Sequence, residues 1–164
     1  MNPTASALAA LAALLLAPST AAARDLARLV DPFVGTLADF GQLSPAAVAP
    51  FGMVQLGPDT SPANHAGYDF AAHRLAGFSH TRPVGVGCSG AGGDVRVSLQ
   101  YAGAAPLAAI DKTGERAHAG YYRVIYGEGI LAETTATRGR RTFTTFSLPR
   151  SIPSSLRPVE TAVA

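Results

Sequence analysis

The sequence predicts an all-β fold, an antiparallel and partial sandwich-like arrangement that follows an N-terminal signal helix. Two observations carry this prediction. Beyond residue 23, short runs of strand length alternate apolar and polar residues and are separated by Gly and Pro. Apart from a turn at 25–29, no window in the same stretch shows the i, i+3, i+4, i+7 apolar spacing of a surface helix. Strands, rather than helices, therefore organise the chain.

The first 23 residues have the anatomy of a signal peptide. An apolar run over 7–17 is followed by Pro18 and by small residues that end at Ala23, although the segment before the run contains no Lys or Arg. This run is well short of the roughly 20 residues that a membrane-spanning helix needs. We expect cleavage after Ala23 and export to the periplasm or the medium, with no membrane contact afterwards. A buried apolar helix is the alternative.

The strands are predicted in chain order from the alternation of their side chains. Residues 95–101 place apolar side chains at odd positions, so one face is buried. A hairpin is predicted over 120–137, because Gly127 and Gly129 can adopt the positive φ of a tight turn. A further strand is predicted over 141–148.

Two segments lack this alternation. Residues 57–93 are rich in Gly, Pro, Ser and His and are predicted to be an irregular functional loop. Residues 149–164 contain clustered prolines and little to bury, which predicts a disordered or off-family tail. The predicted organisation is a signal peptide at 1–23, a domain at 24–148 and this tail.

Charge and cysteine content exclude several classes of function. Thirteen basic and eleven acidic residues give a formal net charge of +2, and the basic cluster at 138–141 is too small for a nucleic-acid-binding face. Cys88 is the only cysteine, so no disulfide can form within the chain. A buried structural role is favoured for its thiol over a nucleophilic one.

Several short patterns are weak indicators of chemistry. Residues 85–90 fit G-x-G-x-x-G, but no strand precedes them and no helix follows, so dinucleotide binding is not predicted. The spacing of the His residues and Cys88 is wider than that of zinc sites, so no metal site is predicted; the four residues are His65, His73, His80 and Cys88. A turn-capping role is favoured for each of four loop aspartates, which are Asp39, Asp59, Asp69 and Asp94.

Several phrases, taken in order, resemble the N-terminal region of glycoside hydrolase family 92, the bacterial calcium-dependent exo-α-mannosidases. They are VDPFVGT at 30–36, PFGMVQLGPDT at 50–60, GY at 67–68, GFSHT at 77–81 with GVGC at 85–88, and GYY at 120–122. The resemblance covers about residues 29–146. It implies a β-sandwich that packs against a larger α-helical barrel domain, with a mannose-containing glycan bound at their interface.

By this resemblance the catalytic carboxylates and the calcium ligands belong to the barrel, which this chain lacks. We therefore predict no catalytic residue here, and no cofactor in this chain, although calcium is expected for a full-length enzyme. The predicted substrate-contact positions are Asp39, Phe40, Gln42, His80, Arg82 and Cys88. Residues 37–45 replace a Gly- and His-rich loop, and Arg82 replaces a His, so substrate choice can differ from that of relatives.

The sequence therefore predicts a carbohydrate-contacting N-terminal fragment of an exported α-mannosidase-like enzyme that is inactive alone. For His80, ligand contact and the satisfaction of loop backbone groups are equally favoured. A free-standing carbohydrate-binding or periplasmic interaction module is the alternative function, although such modules commonly use Trp, which this chain lacks. A self-sufficient small hydrolase, which would turn over an aryl mannoside, is a third hypothesis.

Overall fold

The computed structural model describes residues 25–85, 92–93, 95–137, 141–151 and 158–163. Its described elements are a short 3-10 helix at Leu26–Leu29 and eight strands. The strands are β1 Gly57–Thr60, β2 Arg74–Ser79, β3 Arg96–Tyr101, β4 Ala108–His118, β5 Tyr121–Tyr126, β6 Ile130–Ala136, β7 Thr142–Ser147 and β8 Pro158–Val163. The all-β prediction is confirmed. The predicted signal peptide lies outside the described residues.

All eight strands belong to one curled antiparallel sheet. Its order is β7-β6-β5-β4-β2-β3-β8, and β1 pairs with β2 off this path. The half from β4 to β7 is a meander of neighbouring strands, whereas β2 is inserted between β3 and β4. No helix among the described residues is long and apolar enough to cross a membrane.

The predicted hairpin is confirmed at β5 and β6. Tyr126 pairs with Ile130, and Gly127 and Gly129 take φ values of 56° and 87°, which ordinary residues rarely adopt. The predicted strand at 141–148 is confirmed as β7. These elements were readable from sequence because their partners are adjacent along the chain.

The hydrophobic core lies on one face of this meander. Tyr122, Val124 and Tyr126 alternate with partly exposed residues along β5, as the pattern predicts. They pack with Phe78 of β2 and Leu56, both of which are fully buried. Phe78 contacts the Tyr122 and Tyr126 rings at centroid distances of 6.4 and 6.2 Å, so the central strand joins both halves of the sheet.

The prediction of one irregular loop over 57–93 is wrong for β1 and β2. Every residue of β1 is buried, and β2 pairs with three strands. A strand that is covered on both sides loses polar alternation, so periodicity does not reveal it. Gly77 in β2 also lets β3 approach closely, because a Cβ there would lie 2.9 Å from the Val97 carbonyl oxygen.

Two further expectations differ from the structure. In β3, Ser98 is buried and Val95, just before the strand, is 45% exposed, so the predicted face holds only in part. Pro158–Val163, placed in the predicted disordered tail, form β8 along the full length of β3. Composition misses this strand because its backbone hydrogen bonds to β3 depend on a partner remote in sequence.

Candidate functional site

Two of the loops predicted to contact substrate lie side by side. The Gly85 N–H donates to the Gln42 carbonyl oxygen at 2.9 Å, which joins the segment after VDPFVGT to the segment after GFSHT. A third segment, 61–69, bonds to the first: the Asn64 side-chain amide donates to the Leu43 carbonyl at 2.9 Å. We call segments 36–43, 61–69 and 80–85 the loop cluster.

Backbone geometry fixes the shape of segment 36–43. The Leu43 N–H donates to the Gly35 carbonyl at 3.2 Å, which closes the loop. Gly41 rests directly on Gly35, since a Cβ at Gly41 would lie 2.3 Å from that carbonyl oxygen. Ala38 and Gln42 have φ values of 46° and 52°, a conformation that costs free energy for residues with a side chain. The surrounding contacts therefore hold the loop in a strained shape.

Asp39 is held by His65 of the neighbouring segment. Its Oδ1 accepts from the His65 backbone N–H at 2.9 Å and lies 2.5 Å from the His65 Nδ1. These bonds, with the side-chain bond as the largest cause, lower the pKa of the Asp39 carboxyl. The carboxylate stays more than half exposed, so it presents a charged acceptor at the surface of the loop cluster. Its role is broader than the turn cap that the sequence favours.

Phe40, at the tip of the same loop, is 91% exposed. The loop beneath it is anchored by Asp69, whose Oδ1 accepts from the backbone N–H groups of Ala38 at 3.2 Å and Ala71 at 2.9 Å. Asp69 therefore caps a turn, as predicted, and also reaches into the first segment. Asp39 and Phe40 are thus consecutive exposed residues of a loop that is hydrogen-bonded to Asp69 and His65.

Arg82, one of the predicted substrate-contact residues, forms an ion pair, and its side chain is 21% exposed. Its Nε donates to Asp59 Oδ1 at 2.9 Å, and the carboxylate of Asp59 is 3% exposed. The Ser79 hydroxyl donates to the other carboxylate oxygen. The turn-capping interpretation of Asp59 is wrong, because its side chain points into the protein and anchors Arg82. No sequence signal separated this aspartate from the others.

Two glycines make room for that ion pair. A Cβ on Gly67 would lie 2.6 Å from both Arg82 Nε and Asp59 Oδ1, and one on Gly93 would lie 2.8 Å from the Arg82 guanidinium carbon. Both have positive φ. The glycine of the Gly-Tyr phrase at 67–68 is therefore explained by its close approach to this ion pair.

His80 is bonded to the start of β3. Its backbone N–H donates to the Val95 carbonyl at 3.2 Å, and its ring Nδ1 lies 3.3 Å from the same oxygen. Its carbonyl accepts from the Gln55 N–H at 3.2 Å. The side chain serves a backbone group here, which is one of the two alternatives that the sequence left open. Cys88, the last predicted contact residue, lies outside the described residues.

Sequence reasoning missed Asn64 and His65 as members of this site. Asn64 Oδ1 accepts from the Ala66 N–H at 2.8 Å, and this turn presents His65 to Asp39. The Asn-His-Ala-Gly run is the kind of turn sequence that could have indicated them.

The described residues do not by themselves suit calcium. Nowhere among them do three or more His, Cys, Asp or Glu side chains gather within reach of one ion. Calcium takes six to eight oxygen ligands, usually including several carboxylates, and no such group of carboxylates occurs among the described residues.

A second surface feature precedes Gln55, the residue that bonds His80 of the loop cluster. The loop at 50–54 projects Phe51 and Met53, which are 107% and 95% exposed, and Phe51 has a φ of 59°. A cavity of about 300 Å³ beside them is lined by residues at the ends of β6 and β7, including Ala136 and Thr142. Exposed large apolar side chains of this kind mark contact surfaces.

Comparison with known families matches this architecture. The model of the glycosyl hydrolase family 92 N-terminal domain matches residues 29–157. Among curated proteins, none matches the sequence.

Comparison with solved structures also finds glycoside hydrolase family 92 enzymes. The chain is similar to the GH92 family glycosyl hydrolase ccman5, with 33% identity, a TM-score of 0.71 and coverage of 83% of this chain and 20% of that chain. It is similar to the GH92 α-mannosidase BT3965 from Bacteroides thetaiotaomicron, with 28% identity, a TM-score of 0.66 and coverage of 77% and 19%.

The inverting mannosidase BT2199 from the same organism shares the fold at 18% identity, with a TM-score of 0.63 and coverage of 81% and 19%. This chain therefore spans about a fifth of the length of these structures.

Proposed function

This chain belongs to the glycosyl hydrolase family 92 N-terminal domain family, and from that membership we propose that its loop cluster supplies part of a mannoside-binding site. The substrate class comes from the relatives, two of which are named as mannosidases. The rest of the site, including the catalytic carboxylates and the calcium, would come from a larger partner domain. Export to the periplasm or the medium is part of the same proposal.

One observation carries the proposal: the Gly85–Gln42 hydrogen bond brings together two loops that are far apart in sequence. The exposed Asp39 carboxylate and the exposed Phe40 ring belong to consecutive residues of the first of these loops, which supports the proposal. An apolar ring face and a charged acceptor are the two kinds of group that bind a pyranose, through its C–H face and its hydroxyls. Arg82 and His80 support this surface from below through Asp59 and Val95.

The proposed partner domain would cover the projecting loop at 50–54. Phe51 and Met53 expose nearly their whole side chains, although apolar surface of this size is costly in water. The relatives are about five times as long as the matched region, so they contain ample further chain to cover it.

Titration of the ¹⁵N-labelled chain with methyl α-mannoside tests the proposal. We expect amide shifts in segments 36–43, 61–69 and 80–85, with a Kd in the range of about 1–50 mM, because half a site binds weakly. Phe40→Ala should abolish the shifts, whereas Phe143→Ala, which removes a half-exposed ring on β7, should leave them unchanged. Shifts confined to other regions, or none at 100 mM ligand (roughly twice the upper bound above), would contradict the proposal.

The same titration distinguishes the alternative, a stand-alone carbohydrate-binding module. The observation in its favour is the 91% exposed ring of Phe40, which is the single-aromatic platform such a module needs. A module that functions alone should bind with a Kd below about 0.1 mM. Under either proposal we expect no turnover of an aryl α-mannoside by this chain, and turnover would support a self-sufficient hydrolase instead.

A further inference from the structure

A cavity of about 590 Å³ lies beside β4, apart from the predicted substrate-contact residues. Its polar and aromatic lining comes from the VDPFVGT phrase, the segment before β2, and the bulge of β4. The residues that matter are Phe33, Phe70, His73, Lys112, Glu115 and Arg116. The strand register shifts between Asp111 and Arg116, which turns these side chains towards the cavity.

One wall of the cavity is aromatic. The rings of Phe33 and Phe70 meet edge to face with centroids 5.5 Å apart, and Phe70 remains 47% exposed. Lys112 Nζ lies 5.3 Å from the Phe70 centroid and 5.0 Å from that of Tyr68. The ammonium group is thus fixed beside an accessible aromatic surface.

Glu115, the carboxylate of the lining, is occupied from inside the protein. Its Oε1 accepts from the hydroxyls of Tyr68 at 2.8 Å and Tyr122 at 2.6 Å, and its Oε2 accepts from Lys112 at 3.0 Å. Burial, strengthened by the Glu115 charge, raises the pKa of both tyrosines, so they stay protonated donors. With its side chain 3% exposed, Glu115 offers little to a ligand.

The groups that remain accessible are hydrogen-bond donors. Arg116 and His73 are exposed, and the Lys112 side chain is 21% exposed. Arg116 uses Nη1 to bond the carbonyls of Thr113 and Glu115, at 2.9 and 2.6 Å. Its other guanidinium nitrogens bond no acceptor among the described residues, so they are available to an incoming anion. Glu115 balances Lys112, and the Arg116 charge, after the hydrogen bonds from Thr113, helps to lower the pKa of the nearby Asp111 carboxyl. An incoming anion would therefore meet the free N–H groups of Arg116 rather than a net positive charge.

We propose that this cavity binds a sugar that carries an anionic group, a carboxylate or a phosphate. The pyranose ring lies against Phe70, and the anion accepts from Arg116 and Lys112. Guanidinium groups bind both anions through paired donors, while an aromatic wall favours a ring over a bare ion. The cavity shares no lining residue with the loop cluster, although the Phe70 N–H donates to the Thr36 carbonyl of that cluster at 3.0 Å.

Isothermal titration of the full chain at low salt tests this inference. The probes are glucuronate and glucose 6-phosphate, with glucose as the neutral control and inorganic phosphate as the bare anion. We expect at least one anionic sugar to bind about tenfold more tightly than both controls, and comparison of the two sugars identifies which anion is preferred. Equal binding of glucose, or of inorganic phosphate, would overturn the proposal.

Two variants locate the binding. Arg116→Gln should weaken binding of the anionic sugar about tenfold. Arg28→Gln, at an exposed arginine that does not line this cavity, should not change it. Phe70→Ala should weaken binding of the anionic sugar but should not change binding of inorganic phosphate. Arg116→Gln and Phe70→Ala should both keep the circular dichroism spectrum of the parent, with a small fall in melting temperature from the lost Arg116 hydrogen bonds and the lost Phe33–Phe70 contact. Unchanged affinity in a folded Arg116→Gln variant would also refute the site.

Discussion

Asp59 and Arg82 form an ion pair at 2.9 Å that joins β1 to the segment after β2, with the Asp59 carboxylate almost completely buried. The pair connects the PFGMVQLGPDT phrase to the loop that begins with His80, although twenty-two residues separate the two. The loop cluster therefore depends on a charge pair that lies beneath it rather than on its surface.

Removal of one member of this pair should destabilise the fold strongly. Asp59→Ala leaves the Arg82 guanidinium and the Ser79 hydroxyl without their acceptor, and we expect a loss of about 2–4 kcal/mol in the free energy of unfolding. The matched control is Asp25→Ala, which removes the exposed pair with Arg28 and should cost under about 0.5 kcal/mol. Urea denaturation followed by circular dichroism measures both. Similar losses in the two variants would refute a special role for the pair.

Gly67 should be far less tolerant of a side chain than Gly103. Both have positive φ, 89° and 79°, so alanine is strained by about 1–2 kcal/mol at each. Only at Gly67 does the added Cβ also meet Arg82 and Asp59 at 2.6 Å, whereas nothing lies within 4 Å at Gly103. We expect Gly67→Ala to lower the thermal midpoint clearly more than Gly103→Ala does. Equal shifts would mean that the pair moves aside at little cost.

The low pKa of Asp39 should depend on His65. The His65 bonds lower this pKa from its usual 3.8, so His65→Gln, which removes the side-chain bond, should raise it towards that value. Asp111 is the internal control, because its pKa is lowered by Thr113, which this variant leaves in place. Carboxyl ¹³C shifts recorded against pH report both groups in one sample. If the Asp39 pKa is unchanged in His65→Gln, the two side chains are not in hydrogen-bond contact and the prediction is wrong.

The buried tyrosines should make the fold sensitive to alkali. Burial raises the pKa of Tyr126 to about 12 from 10.0, so between these values the unfolded chain loses a proton that the folded chain keeps. Stability from this group is complete below pH 10 and falls as the pH rises towards 12, by up to about 1.4 kcal/mol per pH unit. In Tyr126→Phe, the fall of the unfolding free energy between pH 10 and 12 should lose the contribution of one proton. The variant should also be less stable by a fixed amount that is already present at neutral pH. Urea midpoints measured from pH 9 to 12 test it, and an unchanged slope would count against it.

The projecting loop at 50–54 should drive self-association when nothing covers it. Phe51→Ser combined with Met53→Ser removes two almost fully exposed apolar side chains and should raise the monomer fraction without lowering the melting temperature. Phe143→Ser, at a half-exposed ring on β7, should change association much less. Light scattering across a concentration series measures the difference. Association that persists in the double variant would point to an open strand edge instead.

Some strands could be predicted from the sequence, and others could not. The hairpin at β5 and β6 and the buried series Tyr122, Val124 and Tyr126 follow from alternation and from two glycines, because these signals are local. Strands β1, β2 and β8 were missed. Their identity depends on partners distant along the chain, and β1, together with the last three residues of β2, is too enclosed to alternate.

For the site, the sequence by itself determined the family phrases and so the loops that meet at Gly85 and Gln42. Only the tertiary structure decided what each polar residue does there. Asp39, Asp59 and Asp69 look alike in sequence, yet one faces solvent beside Phe40, one is buried against Arg82, and one anchors a loop. The physical reason is that a carboxylate's role depends on its burial and on the donors that face it, and both are set by segments remote in sequence.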